Sequence, residues 1–130
     1  MNLKELSIES IEALMDTLPV DVSFVDAEDR VKFFNTPKKG RLFPRTKMDL
    51  GREVQKCHPP KSVHIVEKIL KDFKDGTSDS TSFWIDMKGK KILIEYFPVR
   101  DSSGKYLGTL EVSQDITDIQ KITGEKRILD

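Results

Sequence analysis

Gly108-Thr109-Leu110-Glu111-Val112-Ser113-Gln114-Asp115-Ile116-Thr117 is the stretch that decides the fold. With Tyr106 in front it reads as a strand over Tyr106 to Gln114, and Asp115-Ile116-Thr117-Asp118 reads as a strand end running into a helix cap. Ile119 and Ile122 then start a short helix. Upstream, Asp101-Ser102-Ser103-Gly104 is a turn, and Lys91 to Val99 alternates Ile92, Ile94 and Tyr96 against Leu93 and Phe97. Lys88-Gly89 is a tight turn, and Ser82 to Met87 alternates Phe83, Ile85 and Met87 against Trp84. Three antiparallel strands close the chain.

Two more strands lie near the start. Val20 to Asp26 alternates Val20, Val22 and Phe24, Ala27-Glu28-Asp29-Arg30 turns, and Val31 to Phe34 returns. In front of them, Ser7 is an N-cap, Ile8, Ile11, Leu14, Met15 and Leu18 form one apolar stripe, and Pro19 stops the helix. Leu6 and Ile11 have the spacing of a hydrophobic staple. Thr36 to Arg52 is irregular, with Pro37, Gly40, Pro44 and Gly51, and carries a basic cluster at Lys38, Lys39 and Arg41 that reads as solvated loop. It is long enough to form a binding loop or lid. The order is helix, two strands, irregular and helical middle, three strands. It predicts an α+β fold: one five-stranded antiparallel sheet with Val20–Asp26 near its centre, helices covering one face and an N-terminal flanking helix.

The middle holds Cys57-His58-Pro59-Pro60-Lys61-Ser62-Val63-His64-Ile65-Val66, with the only cysteine and both histidines. A double proline suits a helix start, and the pre-proline restriction predicts that Cys57-His58 is not helical. The helix runs to about Lys74, with Asp75-Gly76 ending it. Val63, Ile65, Val66, Ile69, Leu70 and Phe73 fall on one side; Glu67, Lys68, Lys71, Asp72 and Lys74 fall on the other. A thiol and an imidazole therefore sit at the amide end of a helix, which carries partial positive charge.

Length and charge set the frame. A chain of 130 residues suits one domain. Lys plus Arg is 22 and Asp plus Glu is 22, so no basic excess argues for nucleic acid. One cysteine makes no internal disulfide, which fits a reducing compartment. No apolar run approaches about 18 residues. The expectation is a cytoplasmic protein without a membrane span: residues 1–17 a flanking helix, 18–119 the domain, 120–130 a tail or short helix.

From about Leu18 to Ile119 this order, with the Gly108–Thr117 stretch at its end, resembles the PAS sensor domain. Leu18-Pro19-Val20-Asp21 with Phe24-Val25-Asp26, Gly51 through Val63, and Phe83-Trp84-Ile85 are similar to the PAS domain that follows a hemerythrin-like domain in bacterial and archaeal proteins. No hemerythrin portion is present, so the resemblance implies a solitary or excised domain whose neighbour is a hemerythrin-like or other signalling domain. It also implies a sensory, ligand-binding or interaction module with a pocket between helices and inner sheet face. It names no ligand, since fold alone does not give function.

The candidate chemistries separate by residue. The flavin-binding light-oxygen-voltage motif Gly-Arg-Asn-Cys is met by Gly51-Arg52 and then breaks, because Val54 fills the position of the reactive cysteine. Haem needs an axial ligand. His64 lies on the polar side of the helix, whereas His58 and Cys57 can face inward. Zinc would have at most Cys57, His58 and His64, short of a paired four-ligand set. No phosphate loop or kinase signature appears, and catalysis by a thiol beside its sequence neighbour is poorly aimed, so no enzyme is expected. Phe83 and Trp84 face opposite sides, so only one lines a pocket. A void lined by Phe33, Val66, Phe73 and Tyr96 is the mark of a pocketed sensor. A filled core marks a pure interaction domain. Cys57 and His58, with Arg45 and Arg52, are expected to mark the mouth, where cations and helix-end amides suit an anionic ligand, a haem propionate or a redox-sensitive thiolate. The Ile8, Ile11, Met15 stripe and the outer sheet face are expected to form a homodimer.

Overall fold

The side chain of Ser7 accepts the amide of Ser10 at 3.0 Å and starts α1, Ile8–Thr17. Leu18 is extended ahead of Pro19 and ends it. The structure is a computed structural model that describes residues 2–129. β1 is Asp21–Asp26 and β2 is Val31–Phe34, joined by a turn in which the Asp26 carboxylate accepts the amides of Glu28 and Arg30. Pro60–Ser62 forms one 3₁₀ turn that leads into α2, Val63–Asp75. Gly76, at φ 76°, closes that helix in the left-handed conformation. β3 is Thr81–Met87, β4 is Lys90–Arg100 and β5 is Tyr106–Asp115. Lys88 and Gly89 both have positive φ, as a two-residue hairpin turn requires.

The five strands form one antiparallel sheet in the order β2-β1-β5-β4-β3. The last strand of the chain is therefore the central one, and β1 lies directly beside it. Gly108 sits where these two cross most closely: a Cβ there would meet the Val25 carbonyl oxygen at 2.2 Å. Strand alternation then sorts the faces. Val25 packs with Val31, Val54 and Leu70 of α2, with Cys57 and Val66 against them, so this is the inner face. Phe24 and its cross-strand partners Phe33 and Leu110 point to the outer face.

Two expectations need correction. Cys57 is the last residue of a 3₁₀ helix, Val54–Cys57, and only His58 is extended, because the clash with a proline ring acts on the single residue before it. Arg41 is not part of a solvated basic loop. Its side chain is 6 % exposed and stands 3.6 Å from the Asp21 carboxylate, itself 3 % exposed.

Both members of that pair are hydrogen-bonded to the segment around them. Asp21 accepts the backbone amides of Leu42 at 3.0 Å and Phe43 at 2.9 Å. Arg41 donates to the Phe43, Val22 and Asn35 carbonyls, to Asn35 Oδ1 and to Ser23 Oγ, and lies 5.6 Å from the centre of the Phe34 ring. Asn35, fully buried, accepts the Val22 amide and donates to the carbonyls of Val20 and of Met15 in α1. A segment without regular hydrogen bonding is thus pinned to β1 and α1 by side chains.

Removing one member of a buried, hydrogen-bonded ion pair leaves the other uncompensated, at about 3–5 kcal/mol. Arg41→Met is expected to lower the unfolding free energy by about 3 kcal/mol in urea titration. Arg41→Lys should recover little of it, because an ammonium cannot reproduce the guanidinium fork. A loss below about 0.5 kcal/mol, the range of ordinary surface substitutions, would count against the pinning.

Candidate functional site

His58 is extended before Pro59, and its ring turns back on the preceding 3₁₀ helix, with Nδ1 3.0 Å from the Val54 carbonyl oxygen. A carbonyl only accepts, so Nδ1 carries the proton and Nε2 is the free ring nitrogen of the neutral imidazole. The Cys57 thiol points back toward the Glu53 carbonyl oxygen at 3.8 Å, a weak contact.

Beside these two residues lies a cavity of about 690 Å³, within the range that holds small molecules. Ile65, Val66 and Ile69 of α2 form one wall. Phe83, Ile94, Tyr96 and Glu111 of the sheet form the other. Phe43-Pro44-Arg45 closes one end, held by the backbone bonds that Asp21 and Arg41 make to Phe43. Asp49, Arg52 and Lys56 stand at the rim.

Tyr96 and Glu111 face each other across the β4–β5 pair. Burial pushes the Tyr96 phenol well above its ordinary range, and the adjoining Glu111 carboxylate, which accepts from the phenol, raises it further; Arg45 pulls the other way. The Phe83 ring lies 5.9 Å from that of Tyr96, centre to centre. Tyr106, outside the cavity, is also raised by burial, against a hydrogen bond to Thr109 that lowers it.

Cys57, His58, Arg45, Arg52, Val66 and Tyr96 are thus brought to one cavity. Phe33 and Phe73 are not. Phe33 pairs with Phe24 on the outer side of the sheet and lines a separate groove with Lys32 and Leu50, which only Arg45 shares with the cavity. Phe73 sits one turn beyond Ile69, fully buried in the core. His64 is exposed, and among the described residues no three Cys, His, Asp or Glu side chains gather as a metal cluster would. Sequence reading missed Glu111. Its signal was a lone carboxylate in a strand whose neighbours two residues away, Thr109 and Ser113, face inward with it.

Both phenols have their pKa raised in the folded protein, so the folded state holds protons that the unfolded state releases near pH 10. The stability linked to these groups is intact below that pH and falls as pH rises from the unfolded value toward the folded one. Absorbance at the tyrosinate band should show neither phenol titrating at the ordinary value in native protein, and both doing so in denaturant. A native titration centred at about pH 10 would contradict the burial of Tyr96.

No curated protein matches this chain. A family model described as PAS domain matches residues 11–117. The crystal structure of the C-terminal domain of a protein from Streptococcus mutans is 32% identical, with 91% of each chain covered and a TM-score of 0.83. The PAS domain of BvgS from Bordetella pertussis shares 18% identity over 88% of this chain and 89% of its own, with a TM-score of 0.60. A sensory box sensor histidine kinase from Vibrio cholerae shares 14% identity over 84% of this chain and 90% of its own, with a TM-score of 0.58. The two distant structures repeat the fold, the Streptococcus mutans domain repeats it at much higher identity, and the family model spans the sheet and α2 together: the chain belongs to the PAS domain family.

Proposed function

We propose that this PAS domain is a sensory module whose cavity takes a small molecule and whose flanking helix and outer sheet face pass occupancy on through protein contacts. PAS domains are in general sensory and signalling modules rather than catalysts. The observation that carries the reading is the cavity of about 690 Å³ between α2 and the sheet, apolar in its walls and entered by the polar groups of Arg45, His58, Tyr96 and Glu111. A pure docking domain would have that space filled with side chains.

One observation favours a second reading. The His58 ring donates Nδ1–H to a backbone carbonyl and keeps Nε2 free, the arrangement that orients a histidine ligand to a metal. Haem would then take His58 as its axial group, with Arg45 and Arg52 toward its propionates, and would supply the binding of a diatomic gas or an electron. Cys57 lines the same wall as the alternative ligand.

Protein purified from its own host should carry a bound molecule, read by native mass spectrometry together with an absorption spectrum. An organic ligand adds mass without visible absorption, and haem gives a Soret band that His58→Ala abolishes. A host preparation at the bare chain mass with no chromophore would favour the docking-only alternative.

Output surfaces are exposed. Trp84 is 66% exposed on the outer face beside its partner Leu93, and Ile8 and Leu14 of α1 are exposed as well. We read these as the contact between two copies of the domain, or with a neighbouring hemerythrin-like or other signalling domain in a longer protein. The Streptococcus mutans domain is itself the C-terminal part of its protein. Among the described residues no helix is long and apolar enough to cross a membrane. Sedimentation at high micromolar concentration should give a dimer, and Trp84→Lys should return it to monomer with an unchanged melting temperature, since the ring is mostly exposed. A wild-type monomer under those conditions would remove the assembly.

A further inference from the structure

Two side chains of opposite charge, Arg45 and Glu111, line the cavity on different elements, and among the described residues neither is in an ion pair. Arg45 is half-buried on the cavity wall, and among the described residues its guanidinium makes neither an ion pair nor a hydrogen bond. Arg52, its neighbour at the rim, is only loosely engaged, 3.9 Å from Asp49, and Lys56 beside it is exposed. Glu111 is half-buried on the opposite wall beside the Tyr96 phenol, acts on Arg41 without forming an ion pair with it, and among the described residues is in no ion pair. A carboxylate has room for about four hydrogen bonds, so Glu111 keeps unused acceptor capacity directed at the space. Between these ends lie Ile65, Ile69 and Phe83, which can only offer apolar contact. Charges left half-desolvated and unpaired cost stability unless something completes them.

We infer that the cavity is built for a small aromatic anion that also carries an N–H donor: its carboxylate or phosphate on Arg45, its ring between α2 and Phe83, and its N–H on Glu111. This rests on the reading of the cavity as a ligand site and adds the ligand's class. An anion alone would leave Glu111 unsatisfied and facing like charge. A cation alone would do the same to Arg45. A purely apolar guest would bury both. Only a ligand of opposite polarity at its two ends satisfies both walls. Haem has an anionic edge but no N–H for Glu111, so the two occupants part at that residue.

The test is a calorimetric titration of the full chain with four probes. Indole-3-acetate and guanosine 5′-monophosphate carry both groups, one with a carboxylate and one with a phosphate. 1-Naphthaleneacetate keeps the ring and the anion without the N–H, and tryptamine keeps the N–H and reverses the charge. At least one of the first two is expected to bind at least about tenfold tighter than the last two, because a site with a buried acceptor rejects an analogue that cannot donate to it. Arg45→Met should weaken that binding by about tenfold or more, and Glu111→Gln should close the gap between indole and naphthalene. Should Glu111→Gln fail to fold, Tyr96→Phe leaves the carboxylate in place and must retain the indole preference. Binding of 1-naphthaleneacetate or tryptamine as tight as that of the better of the first two probes, or no binding of any probe at millimolar concentration, overturns the inference. A neutral or donor-free molecule found by native mass spectrometry would then leave the cavity reading intact, whereas an empty host preparation would remove both.

Discussion

The buried contact between Arg41 and Asp21 is the constraint on which the remaining architecture rests. Asp21 is the first residue of β1, and Arg41 belongs to a segment with no regular backbone hydrogen bonding of its own. A chain of that kind normally stays at the surface, where water satisfies its amides. Here one carboxylate takes the Leu42 and Phe43 amides, and one guanidinium takes three backbone carbonyls. Burial lowers the Arg41 guanidinium from its ordinary range, and the neighbouring Asp21 carboxylate opposes that shift. An apolar pair could fill the same volume, and such replacements are often neutral or stabilising. It could not bind five loop and strand groups in a single arrangement. The pair therefore contributes position more than net stability.

Position is what the cavity needs. The loop fixed by Asp21 and Arg41 continues directly into Pro44 and Arg45, which close one end of the space. On the far side, α2 starts where His58 and Pro59 force an extended corner, so its first two turns, not its last, face the sheet across the gap. Farther along, Leu70 and Phe73 fill the core completely. The same helix is thus packed at one end and open at the other. The open end lies where Tyr96 and Glu111, rather than aliphatic residues, occupy the inner face of the sheet.

Strands were legible in the sequence because alternation and turn chemistry act locally. Lys88-Gly89 and Asp101-Ser102-Ser103-Gly104 mark their hairpins whatever surrounds them; β1, β3 and β5 differ from the reading by a single residue at one end, and β4 by one residue at each end. Arg45, Arg52, Cys57 and His58 could be grouped from the sequence because they cluster along the chain near a proline corner, and all four line the cavity. Phe33 was misplaced because a one-residue difference in parity puts a side chain on the other face of the sheet, and composition does not reveal parity. Arg41 was invisible for a different reason. Beside Lys38 and Lys39 it has every mark of a solvated cation, and its partner lies twenty residues back on a strand. Only the fold brings the two together.

That fold also joins the cavity to the surface. Glu111 contributes to the field at Arg41, and so does Arg45 with the opposite sign. Arg41 holds Asn35, and Asn35 holds the Met15 carbonyl in the last turns of α1, while Asp16 accepts the Thr36 amide alongside. The Arg41 guanidinium hydrogen-bonds acceptors on Phe43, Val22, Ser23 and Asn35. Two of those acceptors belong to Asn35, which ties down a helix with no buried residue of its own. α1 is therefore held to the domain chiefly through polar contacts that share one network with the cavity wall. A helix packed by a large apolar face would be indifferent to charge inside the domain; one anchored through Asn35 and Asp16 is exposed to it.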